Sequence, residues 1–135
     1  MGPLKPLTRL TLGEAIVRTQ GTVVLDPFAA PQPDIALLRH REDFYAQRNP
    51  GPQDILLIVE VADASLDYDT TVKLGLYAIL KVPEYWVADL QNKRLLVHYN
   101  PTGDTYQSVR ELHRGAIVAP QLLPTCRVGV DLLLP

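Results

Sequence analysis

The sequence predicts a mixed α/β domain, and three observations predict it. Two apolar runs, DIALL at 34–38 and ILLIVEVA at 55–62, have the length of strands rather than helices. One segment, LDYDTTVKLGLYAILK at 66–81, carries helical periodicity. Three more strand-like runs follow it, YWVADL, RLLVHYN and TYQSVREL. The order of strands, one long helix, then strands describes a core in which the helix crosses from one strand to the next.

Taken in order, AIVRTQ and TVVLD flank Gly21. Their β-branched residues read as two short strands or one bent ribbon. DIALL and ILLIVEVA are apolar on both faces, which places them in the middle of a sheet. Between them RHREDFYAQRNPGPQ is polar, with Gly51 between two prolines, and reads as a surface excursion with at most a helical turn. In the helix, Val72, Leu76, Ile79 and Leu80 form the apolar stripe expected to face the core. Asp69, Lys73 and Tyr77 lie four apart along another face. Pro83 ends the helix. NPTGDT at 100–105 is the turn of a hairpin. The tail CRVGVDLLLP either closes the sheet or adds a last helical turn.

The 135 residues suit one domain spanning 1–135, and that length suffices for one sizeable core. With 47% hydrophobic and 21% charged residues the composition is globular, and no apolar run approaches the roughly 20 residues of a membrane span. The amino terminus MGPLKPLTRL has no continuous apolar stretch of the kind a secretion signal needs, so the expected compartment is the cytoplasm. A single cysteine, Cys126, cannot form an intramolecular disulfide or a zinc site of paired cysteines, and reads as a small buried residue. A formal charge of -2 provides no global basic field for nucleic acid, although a local patch with acidic metal ligands elsewhere would sum to the same value.

Two carboxylates stand out. Asp34 opens one apolar run and Glu60 lies inside the other, and an ionised carboxylate there costs several kcal/mol unless it is paired, metal-bound or at an edge. Two readings stay open. Either Asp34 starts its strand in solvent and Glu60 pairs with Arg39, Arg41 or Lys73, or both acids enter one cleft and bind a divalent cation. Lys73, on the helix after the Glu60 strand, has the reach to swing back over the strand's end and orient a water or hold a phosphate. Asp69 would pair with it or contact a metal through water; the plainer alternative is an i, i+4 ion pair on a solvated face. Arg39, His40, Arg41 and Arg48 make a small basic cluster that is either a solvated loop or a set of phosphate contacts. His40, His98 and His113 are dispersed and read as solvated. Ser65 reads as a turn or cap residue, since no histidine is identifiable as its base.

The string PDIALLR, followed by ILLIVEVADASLDYDTTVKLGLYAILKVPEYWVADL, resembles the core of the Uma-two family of endonucleases within the PD-(D/E)xK superfamily. The resemblance covers about residues 14–133. It implies a restriction-endonuclease-like fold and Mg²⁺- or Mn²⁺-dependent hydrolysis of DNA phosphodiester bonds. It also implies that Asp34 and Glu60 are metal ligands, with the backbone carbonyl of Val61 as a further one. The superfamily's lysine usually stands two residues after the second acid, where this chain has Ala62; the resemblance implies that Lys73 takes its place. Asp69 matches an acidic position of the same helix, with a role behind the ligands. Tyr77, Tyr85 and Trp86 match positions expected to pack, and Arg39 and Arg41 are the expected phosphate contacts.

Members of the family usually carry an additional amino-terminal helix and acid ahead of the position matching Glu14. A chain without them is expected to be a truncated relative or to fill the gap by self-association, most simply as a homodimer. The rival expectation to catalysis is therefore a noncatalytic nuclease-fold domain acting as a homo-oligomeric interaction module.

Overall fold

The computed structural model describes residues 15–19 and 33–134. Strands β1 (Ala15–Thr19), β2 (Ile35–Arg39), β3 (Ile55–Ala62), β4 (Glu84–Asp89), β5 (Arg94–Thr102) and β6 (Thr105–Leu112) form one sheet in sequence order. All neighbouring pairs are antiparallel except β3 and β4, which are parallel. A parallel pair needs a crossover, and the helical segment provides it as α1 (Leu66–Thr70) and α2 (Val72–Ile79). A short second sheet pairs β7 (Ile117–Val118) with β8 (Val128–Gly129), and the tail ends in a 3₁₀ turn at Val130–Leu132. The expected TVVLD strand, and Glu14, lie outside the described residues.

β3 and β4 are central because both are apolar on both faces; every residue of β4 is buried. On one face Leu57, Val59, Trp86, Leu95 and Val97 pack beneath the carboxyl-terminal segment, which contributes Val118, Val128, Val130 and Leu133. Cys126 is buried in that layer. On the other face Ala36, Ile58, Tyr85 and Val87 pack beneath the helix, which contributes Tyr77 and Ala78.

A bulge sets which face Glu60 occupies. Leu37 pairs with Leu57 while Leu38 pairs with Ile55, so β3 carries one extra residue, Leu56. Leu56 and Leu57 consequently join the same core layer, and Ile55 shares the helix face with Ile58. Alternation from Ile58 then turns Glu60 towards the helix.

The helix differs from its expected form in two ways. It is interrupted at Thr71, which has φ −123° and ψ −75°. The Thr70 and Thr71 hydroxyls donate to the carbonyls of Leu66 and Asp67, four residues back, an arrangement that bends helices. Of the expected stripe, Leu76 and Leu80 pack against the core, but Val72 and Ile79 are 58% and 59% exposed, whereas Asp69 and Tyr77 are buried. The helix is turned so that the polar line Asp69, Lys73, Tyr77 also faces inward, because the sheet opposite carries Glu60, which gives that line its partner.

The hairpin turn is the two residues Gly103 and Asp104, between paired Thr102 and Thr105. Gly103 has φ 60°, the left-handed value that a turn of this length requires at its first position. Among the described residues no helix is long and apolar enough to cross a membrane.

His98 corrects a second expectation, since it is buried rather than solvated. Its ring stacks on Tyr85 with centroids 5.7 Å apart, and Nδ1 lies 2.9 Å from the Tyr85 carbonyl, to which it donates. Burial lowers its pKa below the ordinary 6.5, against the hydrogen bond. A depressed folded pKa contributes stability that is present above 6.5 and lost as pH falls through the folded value. His98→Phe should therefore lose less stability than the unmodified chain between neutral and mildly acidic pH. Urea midpoints measured across that interval check this, and parallel curves would refute it.

Candidate metal-binding site

Glu60 lies within the central strand, 2% exposed, on the face that the helix covers. A carboxylate there needs compensation, and it comes from three groups. The Asp34 backbone N–H donates to Oε1 at 3.0 Å. Lys73 Nζ donates to Oε2 at 2.9 Å, and the Tyr77 hydroxyl donates to the same oxygen at 3.4 Å. Of the salt-bridge partners open to Glu60, the structure selects Lys73.

Burial holds the Glu60 carboxyl above its ordinary range, although the Lys73 and Asp34 contacts pull it down. For Lys73, burial opposes the charge, but the hydrogen bond and charge of Glu60, joined by Asp69, outweigh it and raise the ammonium above its ordinary value. The pair thus favours charge on the lysine more than on the acid. The reason is depth: the Glu60 side chain is 3% exposed and that of Lys73 28%.

Asp34 is placed by the end of a ladder. Pairing of β2 with β3 stops at Ile35 opposite Val59, leaving the Val61 N–H beyond it. Asp34 Oδ2 accepts that N–H at 2.7 Å. In an extended strand the N–H and C=O of one residue leave from the same edge, so the Val61 carbonyl opens on the Asp34 side too. Asp34, Glu60, Val61 and Lys73 are therefore linked at this end of β3.

Asp69 is 2% exposed, so its pairing with Lys73 is not a surface ion pair. Oδ2 accepts the Ser65 hydroxyl at 2.7 Å. Oδ1 lies 3.4 Å from Lys73 Nζ and has no hydrogen-bond partner among the described residues. Ser65 stands at the amino-terminal cap of α1 without bonding the backbone there, its hydroxyl being committed to Asp69. The Tyr85 hydroxyl donates to the Asp69 carbonyl at 2.8 Å, tying the helix to β4.

Tyr77 and Tyr85 pack as expected, their rings 5.0 Å apart, but both hydroxyls also serve the site. Sequence reasoning missed this; the available signal was the i, i+4 spacing from Lys73 to Tyr77. Burial, then the charge of Glu60, pushes both phenols far above the ordinary tyrosine range, so they act as neutral donors.

The basic cluster does not join this group. Arg39 ends β2, about 17 Å along the strand from Asp34, and its Nε donates to the Gln53 carbonyl. Arg41 is ion-paired with Asp43, and Arg48 with Asp54. Both guanidinium groups lie over the Tyr45 ring.

The donor set of two carboxylates and one carbonyl is all oxygen, which suits a hard cation such as Mg²⁺ or Mn²⁺. Among the described residues no group of three or more His, Cys, Asp or Glu side chains is placed to hold a metal ion. The residues present thus fit a cation that keeps several waters, the usual habit of Mg²⁺, rather than one enclosed by protein.

A family model described as "Putative restriction endonuclease", Uma2, matches residues 4–131. Among solved structures, a nuclease described as putative and belonging to DUF820, from Anabaena variabilis, is similar with a TM-score of 0.63 at 12% identity, over 96% of this chain and 74% of that one. That likeness shows the fold, an α/β nuclease-like sheet with one crossing helical segment. No curated protein matches the chain.

Proposed function

The chain belongs to the Uma2 family of putative restriction endonucleases, and from that premise we propose that it is a divalent-metal-dependent endonuclease that hydrolyses DNA phosphodiester bonds. The observation that carries this reading is the convergence of Asp34, Glu60 and Lys73 at the carboxyl end of β3. Asp34 and Glu60, with the Val61 carbonyl, would hold Mg²⁺ or Mn²⁺. The cation, when bound, supplies Lewis-acid polarisation of the scissile phosphate and a lowered pKa for water.

The chain's own residues do the rest. Lys73 is an ammonium with three donors at the solvent-facing rim of the site, placed to orient the attacking water and steady charge developing on the phosphate. Tyr77 and the Asp34 N–H keep the Glu60 carboxylate in one orientation. Asp69 holds Lys73 from behind. Any contact of Arg39 and Arg41 with backbone phosphates would lie away from the cut, since neither joins the Glu60 group. The proposed setting is the cytoplasm, since a chain with one cysteine needs no oxidising compartment. The test is nicking of supercoiled plasmid with Mg²⁺ or Mn²⁺. Nicking that a chelator abolishes is expected; none with either ion would sink the reading.

A second reading, self-association as an interaction module, draws on one surface. Tyr68, Val72 and Ile79 are 54%, 58% and 59% exposed along the outer face of the helical segment. Exposed apolar side chains on one helical segment are where a second copy would dock, and this reading assigns them to a homodimer. Sedimentation should then give a dimer that Val72→Asp with Ile79→Asp dissolves. A monomer at tens of micromolar would remove this reading, whereas a dimer that never nicks DNA would put it ahead of catalysis.

A further inference from the structure

Both oxygens of Glu60 are already engaged, which poses a problem for a residue meant to take a cation. Oε1 accepts the Asp34 N–H and Oε2 accepts Lys73, with Tyr77 nearby. The Asp34 amide is held by the ladder that starts at Ile35, and Tyr77 is fully buried. Lys73 differs, because its four-carbon stem is flexible and its side chain partly exposed. It is the group that is able to leave.

A destination is already in place. Asp69 Oδ1 is buried, lies at ion-pair distance, 3.4 Å, from Lys73 Nζ and has no hydrogen-bond partner among the described residues, while its sister oxygen is fixed by Ser65. A buried carboxylate oxygen without a partner is costly and uncommon. A small rotation of the Lys73 ammonium would satisfy it. The charges agree: three formal carboxylates, Asp34, Glu60 and Asp69, and one ammonium leave two negative charges, which one divalent cation matches.

We infer that Lys73 is a built-in counter-ion that competes with the divalent cation for Glu60, and that Asp69 is the positioning residue that receives Lys73 when Glu60 is taken. The inference rests on Asp34 and Glu60 being the metal ligands proposed above. It gives Lys73 two seats. Without metal it neutralises a buried acid; with metal it stands on Asp69, beside the phosphate rather than on the ligand.

Calorimetric titration with Mn²⁺, with no nucleic acid present, tests this. Lys73→Met should bind Mn²⁺ tighter than the unmodified chain, by about 5- to 150-fold, the usual range for two coupled bound groups. Lys73→Gln should agree with it, and thermal unfolding of each variant checks that the fold is kept. Asp69→Asn should weaken binding several-fold in the unmodified chain, yet change it little in the Lys73→Met background, because there is no ammonium left to receive. Equal weakening in both backgrounds would mean that Asp69 acts only as a distant negative charge, and would overturn the proposal. Equal Mn²⁺ affinity with and without Lys73 would overturn it while leaving the metal site standing. No binding by the unmodified chain or by Lys73→Met would overturn both.

Discussion

Glu60→Ala is expected to remove plasmid nicking, and Lys73→Ala to reduce it by about 10²- to 10³-fold, the usual cost of deleting one preorganised group that stabilises transition-state charge. The two losses have different origins. Glu60 would be a ligand, and its removal also leaves Lys73 and the Asp34 amide without their shared acceptor. Lys73 would act on water and phosphate, so its variant should still bind the cation while cutting poorly. Quantified conversion of supercoiled to open-circular plasmid, with Mg²⁺ and again with Mn²⁺, separates these outcomes. Equal nicking by the unmodified chain and both variants would mean that another site or a contaminant does the cutting.

Trp86→Ala destabilises the domain by about 3–5 kcal/mol, the usual cost of emptying a fully buried aromatic site. The indole is fully buried in the layer between the sheet and the carboxyl-terminal segment. Its Nε1 donates to Glu84 Oε2 at 2.7 Å, and Glu84 Oε1 accepts the Gln121 N–H at 2.6 Å. Glu84 is itself buried, and burial raises its pKa despite those two donors. Losing the indole therefore opens a cavity and withdraws a donor from a buried acid that ties the tail to β4. Trp86→Phe separates the two effects, since it fills most of the space without donating. Denaturant unfolding should rank the unmodified chain above Phe and Phe above Ala. Equal stability of Phe and Ala would mean that the hydrogen bond, not packing, carries the loss.

Much of this architecture is legible in the chain. β2 and β3 announce themselves as interior strands because they are apolar on both faces, and the hairpin because Gly103 supplies the positive-φ residue. Asp34 and Glu60 are conspicuous for a related reason: a carboxylate in such company requires a compensating partner. The residues leave Arg39, Arg41 and Lys73 open as partners of Glu60, and the geometry selects Lys73.

What the chain does not display is how its helix is turned. Periodicity assumes that the whole apolar stripe faces the core, and here Leu76 and Leu80 do while Val72 and Ile79 are exposed. The sheet beneath presents Glu60, so the lowest-energy orientation puts Asp69, Lys73 and Tyr77 inward, where their polar groups satisfy one another. The Leu56 bulge that sets the face of Glu60 leaves no mark in the alternation of an all-apolar strand. His98 looks solvated because its partners, Tyr85 and Tyr106, come from other strands. Sequence alone determined the strands of the main sheet from β2 to β6, the segment that crosses between β3 and β4 and which acids need a partner, because those follow from local hydrophobicity and chain stereochemistry. Only the tertiary structure decided which faces meet and which polar groups pair, because that depends on contacts between residues as far apart as Asp34 and Val61, and on the cost of leaving a buried charge alone.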